Sequence, residues 1–140
     1  MYFIMRILCQ NKFVMGQKSK ILLEYPINSS PTVLYNRLST PSGLTEWFAD
    51  DVIVTGKDFI FVWNGVEQPA QLIQIKEGKM VRYKWLDDED EYYFEFSINR
   101  HELTGDVSLV VVDFSEEGEE EEVTELWNSQ IADLKRVLGC

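Results

Sequence analysis

The chain has 140 residues, 45% of them hydrophobic and 13% aromatic, with a formal net charge of −11. That is enough apolar material for one domain with one core, and no run approaches the roughly 20 apolar residues of a membrane-spanning helix. So acidic a surface repels phosphate backbones and anionic lipid, which argues against nucleic acid and membrane insertion.

The chain opens on "MYFIMRILCQNKFVMGQKSK". Arg6 among apolar residues suggests a weak signal peptide, but Cys9, Gln10, Asn11 and Lys12 interrupt the run and no small-x-small cleavage site follows. Residues 1–14 read as an upstream extension from a mis-assigned start, and residues 1–19 as lying outside the domain, which takes residues 20–140. The context of Gly16 lacks the Ser or Thr of a myristoylation motif. Cys9 and Cys140 are the only cysteines. A disulfide between the chain's two ends is the alternative; free thiols in a reducing cytoplasm are the preferred reading.

"KILLEYPI" alternates Ile21, Leu23, Tyr25 and Ile27 on one face and predicts a strand, with Pro26 marking an edge or an end. Two short helices follow. Ser30 and Thr40 each precede a proline, the arrangement of an N-cap with Pro at the first helical position. In the first helix Val33, Leu34 and Leu38 fall on one side. The second carries Trp47 and Phe48 at its end, and such a pair must sit in a core, line a pocket or meet a partner.

From Val52 to Phe114 the apolar period is two. Strands are predicted around a turn at Thr55–Asp58, an Asn64–Gly65 hairpin turn, and a strand kinked near Pro69. Val81, Tyr83 and Trp85 share a face opposite Arg82 and Lys84; Phe94, Phe96 and Ile98 share a face opposite Tyr93, Glu95 and Ser97. A turn at Thr104–Asp106 leads to a last long strand. The end returns to helical spacing: Val123, Leu126, Trp127, Ile131, Leu134, Val137 and Leu138 recur at i, i+3, i+4 and i+7. The predicted helix runs from Glu120 to Leu138, acidic at its start and basic at its end, and Gly139 stops it.

A long helix with an apolar stripe must bury it, and an antiparallel sheet offers one apolar face. The predicted fold is therefore α+β, a curved antiparallel sheet of six or seven strands around the C-terminal helix, with two short helices after the first strand.

The stretch "SSPTVLYNRLSTPSGLTEWFADDV" resembles the N-terminal signature of one branch of the helix-grip, START-like (SRPBCC) superfamily, the branch of the activator of the heat-shock ATPase. The polar-Pro cap, "LY" in the first helix, Thr-Pro, Gly-Leu, then "WF" and an acidic pair carry the likeness, and the order of elements extends it over Lys20–Leu138. The resemblance is to the small stand-alone bacterial type, without the co-chaperone's separate N-terminal domain. It implies a space between sheet and helix that holds apolar ligands in many relatives.

The candidate lining of that space is Trp47, Phe48, Phe61, Trp63, Tyr83, Trp85, Phe94, Leu109 and Trp127. The same side chains would equally fill a plain core. No catalytic constellation appears. His101, the only histidine, stands in a polar turn without an aimed carboxylate. The acidic runs at Asp87–Glu91 and Glu116–Glu122 lack the ligand spacing of a calcium loop and read as solvated charge. No metal site and no cofactor are expected.

Three functions follow in order. The first is a non-enzymatic, cytoplasmic domain, monomer or homodimer, binding a small apolar or lipid-like molecule between sheet and helix. The second is an acidic protein-interaction module for a basic partner. The third is a cyclase-like enzyme, disfavoured because Arg82, Lys84 and Glu95 point away from the apolar face.

Overall fold

Ser30 and Thr40 act as the sequence predicts in a computed structural model that describes residues 18–86 and 92–140. Helix α1 spans Pro31–Ser39 and α2 spans Pro41–Trp47. The Ser30 hydroxyl accepts from the Val33 N–H at 3.2 Å, and the Thr40 hydroxyl accepts from the Gly43 N–H at 3.0 Å. Thr40 also closes α1: its N–H and its hydroxyl both donate to the Asn36 carbonyl, at 3.3 and 2.8 Å. One residue thus satisfies orphan groups at the end of one helix and the start of the next. Gly43 makes the tight turn possible, since a Cβ there would lie 2.3 Å from the Asn36 carbonyl oxygen.

Leu34 and Leu38, one helical turn apart, are buried. Val33 was expected beside them, but it is 43% exposed. It lies one residue round the helix from Leu34, and Tyr35 takes its place as the half-buried flank.

The strands are β1 (Ser19–Pro26), β2 (Asp51–Thr55), β3 (Asp58–Trp63), β4 (Val66–Lys76), β5 (Met80–Trp85), β6 (Tyr93–Arg100) and β7 (Val107–Ser115). They form one seven-stranded sheet in the order β1-β7-β6-β5-β4-β3-β2, with every pairing antiparallel. Pro26 therefore ends an edge strand. Asn64 and Gly65 both have positive φ, 49° and 78°, and connect the pair Trp63↔Val66 as a two-residue hairpin turn.

The kink predicted near Pro69 lies elsewhere. The β3–β4 register runs unbroken through Ile60↔Pro69, and the irregularity falls between Leu72 and Gln74 in the β4–β5 ladder. Pro69 is tolerated because it sits one residue beyond the last β4–β5 pair, Ala70↔Trp85, where it only accepts the Leu86 N–H at 3.1 Å.

Helix α3 spans Glu120–Leu138, with Glu120, Glu121 and Glu122 in its first turn and Lys135 and Arg136 in its last. Gly139 ends it at φ 77°, in the left-handed region that favours glycine. Leu126, Trp127, Ile131 and Leu134 are buried as expected, joined by Gln130. Val137 departs from the expected stripe and is 37% exposed, because the last turn of α3 borders a surface cleft beside α2.

Candidate functional site

The site starts from the end of α2. The Trp47 indole N–H donates to the Arg37 carbonyl at 2.8 Å, tying α2 to α1. Phe48 enters the interior. Its ring lies 5.1 to 5.4 Å, centroid to centroid, from Phe61, Phe94, Trp47 and Trp63. It stands 6.0 Å from Trp127 of α3, nearly parallel to it. The Phe48 carbonyl accepts the Trp63 indole N–H at 2.7 Å and the Gln130 side-chain amide at 3.2 Å. Backbone and ring of one residue so join the short helix, the sheet and the long helix. This is the use the fold makes of the Trp-Phe pair.

The other expected lining residues converge as the alternation implied. Phe61, Trp63, Tyr83, Trp85, Phe94, Leu109 and Trp127 are each at most 1% exposed. They meet one another directly: Trp85 and Phe94 are 4.9 Å apart, Tyr83 and Phe94 5.1 Å, and Phe61 and Trp63 5.8 Å between ring centroids. These are contact distances for aromatic rings. The polar handles of Trp63, Tyr83 and Trp127 are directed to backbone or carboxylate groups. The Tyr83 hydroxyl donates to the Leu38 carbonyl at 2.9 Å, and burial pushes its pKa well above the ordinary tyrosine value. At the rim, Tyr25 donates to Asn128 Oδ1 at 2.7 Å, and burial raises its pKa to about 12.

Two interior polar residues were not singled out from the sequence. Asp113 is fully buried and accepts the Trp127 indole N–H at 2.8 Å through Oδ2. Its Oδ1 accepts the Phe114 N–H, also at 2.8 Å. The signal was present in the alternation of β7, which puts residue 113 on the same face as Leu109 and Val111. Gln130 was hidden by its polarity inside an otherwise apolar stripe.

Beside this interior lies a cleft of about 710 Å³ between α2 and the C-terminal half of α3. Trp47, Phe48, Trp63 and Val137 supply its apolar wall; Glu46, Asp50, Gln130, Asp133 and Arg136 supply its polar wall. Glu46 pairs with Arg37, and Asp133 pairs with Arg136 at 2.9 Å. Asp50 accepts the Asn64 N–H at 2.7 Å. A second cleft, of about 650 Å³, lies at the turns Pro26–Ser30 and Gly105–Val107 and is lined mainly by turn residues.

The residues weighed for catalysis stay apart. His101 is exposed, and its Nδ1 accepts the N–H groups of Leu103 and Thr104 at 3.3 and 3.4 Å, serving its own turn. Arg82 and Glu95 face each other on the outer side of the sheet, as alternation predicted, and pair at 2.6 Å. Among the described residues no three His, Cys, Asp or Glu side chains converge in a way that would hold a metal. The acidic run Asp87–Glu91 and Cys9 lie outside the described residues. Cys140 is an exposed free thiol.

A family model described as a START-like superfamily domain matches residues 15–140. The chain belongs to the START-like superfamily. BfR322 from Bacteroides fragilis, known from a solution NMR structure, is 42% identical, with a TM-score of 0.65 over 87% of this chain and 92% of that one. The Aha1 dimer from Colwellia psychrerythraea superposes with a TM-score of 0.73 at 18% identity, over 86% of this chain and 96% of that one. Protein BH1534 of Bacillus halodurans does so with a TM-score of 0.69 at 17% identity, over 88% and 99%. At that identity the last two show the START-like fold alone. A search of curated proteins gave no match. The family and fold that the "WF" signature and the order of elements implied are those observed.

Proposed function

We propose that this START-like domain is a non-enzymatic protein-interaction module whose acidic surface meets a basic partner. The observation that carries the reading is the packing of the interior. Of the side chains that would have to line a ligand cavity between sheet and helix, the aromatic ones touch one another ring to ring, and all but Trp47, at 5%, are at most 1% exposed. A cavity for a small ligand takes some ~300 Å³ or more. On that ground we place the interaction reading ahead of the apolar-ligand function expected first from the sequence. The net charge of −11 supports electrostatic recruitment of a cationic surface. A cytoplasmic setting, suited to the free Cys140, goes with this reading.

Native mass spectrometry of the purified protein tests it, together with titrations followed by tryptophan emission. The expected result is the bare chain mass, as monomer or homodimer, no response to apolar small molecules, and a salt-sensitive response to lysine-rich peptides. A co-purified apolar molecule, or saturable binding of one with micromolar affinity, would return the function to ligand binding.

A further inference from the structure

We propose that the free edge of β1 is an interface between two copies of this chain, paired antiparallel about a two-fold axis at Leu22. Strand β1 ends the sheet, and among the described residues no strand pairs with its outer edge. At eight residues it is longer than β2, the five-residue strand at the opposite edge. Leu22, near its middle, is 64% exposed. A long edge strand with an exposed apolar side chain is a template for another strand.

The ladder shows which backbone groups that edge offers. The Ile27 N–H donates to the Val107 carbonyl at 2.9 Å, continuing the β1–β7 register. Hydrogen-bonded and non-bonded pairs alternate along an antiparallel ladder. Ile21, Leu23 and Tyr25 therefore turn their backbone groups to β7, and Lys20, Leu22 and Glu24 turn theirs to the free edge. Pro26 falls in the outward set, where its missing N–H takes nothing from the ladder.

The side chains then select the partner. With Leu22 opposite the partner's Leu22, Lys20 faces the partner's Glu24 and Glu24 faces the partner's Lys20. Lys20 and Glu24 are both exposed. The Ser108 hydroxyl donates to Glu24 Oε2 at 2.6 Å and holds that carboxylate at the sheet. Each of these facing pairs can exchange two N–H···O bonds, because all three residues carry outward backbone groups. Ile21 and the partner's Leu23 meet on the inner side, apolar against apolar. A pairing centred on Lys20 or on Glu24 would set like charges opposite each other, which destabilises a sheet. Two chains of net charge −11 repel at long range, so attraction has to be local, and the register at Leu22 supplies it. The strand is thus complementary to itself, as a two-fold interface requires.

Sedimentation velocity on the full chain over a dilution series should show a dimer that dissociates on dilution. Lys20→Glu and Glu24→Lys should each weaken self-association about tenfold or more, since each sets two like-charged pairs across the axis. The two substitutions move net charge in opposite directions, so a loss shared by both comes from the pairing and not from net charge. Far-UV circular dichroism should be unchanged in both. Mixing the two variants should restore a dimer with one chain of each, because opposite charges then face each other again. A full chain that stays monomeric throughout would overturn the second copy as the occupant of this edge. A dimer that survives both substitutions, or losses that mixing does not repair, would overturn β1 pairing at this register.

Discussion

Replacing Gly43 by alanine should destabilise the domain, although alanine is the better helix former. The local preference is clear: Gly→Ala within a helix is worth about 0.5–1 kcal/mol in favour of alanine. The tertiary setting opposes it. The new Cβ would sit 2.3 Å from the Asn36 carbonyl oxygen, 2.7 Å from Arg37 Cα and 2.8 Å from the Thr40 hydroxyl. Two of those three atoms belong to the backbone of α1, so no side chain can rotate away to relieve the contact. Ordinary carbon contacts begin near 3.5 Å, so α1 and α2 would have to part by about 1 Å. Overpacking of this kind costs about 1–3 kcal/mol. Parting the helices also stretches the 2.8 Å bond from the Trp47 indole to the Arg37 carbonyl, worth about 1 kcal/mol. The packing terms exceed the propensity gain, and the expected net loss is about 1–3 kcal/mol. Urea unfolding followed by tryptophan fluorescence would read it as a lower midpoint at unchanged slope. A variant as stable as the parent, or more so, would refute the claim that close helix crossing at residue 43 positions Trp47 and Phe48.

Trp127→Phe keeps the ring contacts near Phe48 but removes the N–H given to buried Asp113 Oδ2, and should cost about 1–3 kcal/mol in denaturant unfolding. Trp127→Ala adds a cavity and should cost about 3–5 kcal/mol; a Trp127→Phe variant as stable as the parent would deny the Asp113 bond any role. Leu109→Trp should destabilise by about 1–3 kcal/mol, because Leu109 is fully buried in a packed interior; an unchanged melting temperature would reveal free volume between sheet and helix. Burial raises the Tyr25 pKa from 10.0 to about 12, and raises that of Tyr83 as well. The folded state then keeps protons that the unfolded chain releases, so stability should hold below about pH 10 and fall as pH rises through 12. Thermal melts from pH 9 to pH 12 check this, and Tyr83→Phe should flatten the decline; an equally steep decline would exclude Tyr83 as its source.

The order of elements was legible in the sequence because each element announces itself through near neighbours. Ser30-Pro31 and Thr40-Pro41 start their helices through bonds spanning three residues, Asn64-Gly65 turns a hairpin within itself, and the i, i+3, i+4 spacing of Leu126, Trp127, Ile131 and Leu134 needs only α3 to be read. Alternation likewise told which side of each strand faces inward, so Phe61, Tyr83, Trp85 and Phe94 were assigned to one interior before any contact was seen. Tertiary structure alone decided what lies between those faces. A binary pattern carries direction but not volume, and only the packed coordinates bring Phe48 against Phe61 and Trp127. The same limit hid the polar partners. The Phe48 carbonyl is met by Trp63 and Gln130, and Asp113 by Trp127, across 15, 82 and 14 residues of sequence. No local rule specifies such pairs, because a hydrogen bond depends on positions in space that the whole fold sets. Val33 and Val137 show it from the other side. Their hydrophobicity placed them with their neighbours' apolar stripe, yet both stand exposed, since a helix buries only the arc that another element covers.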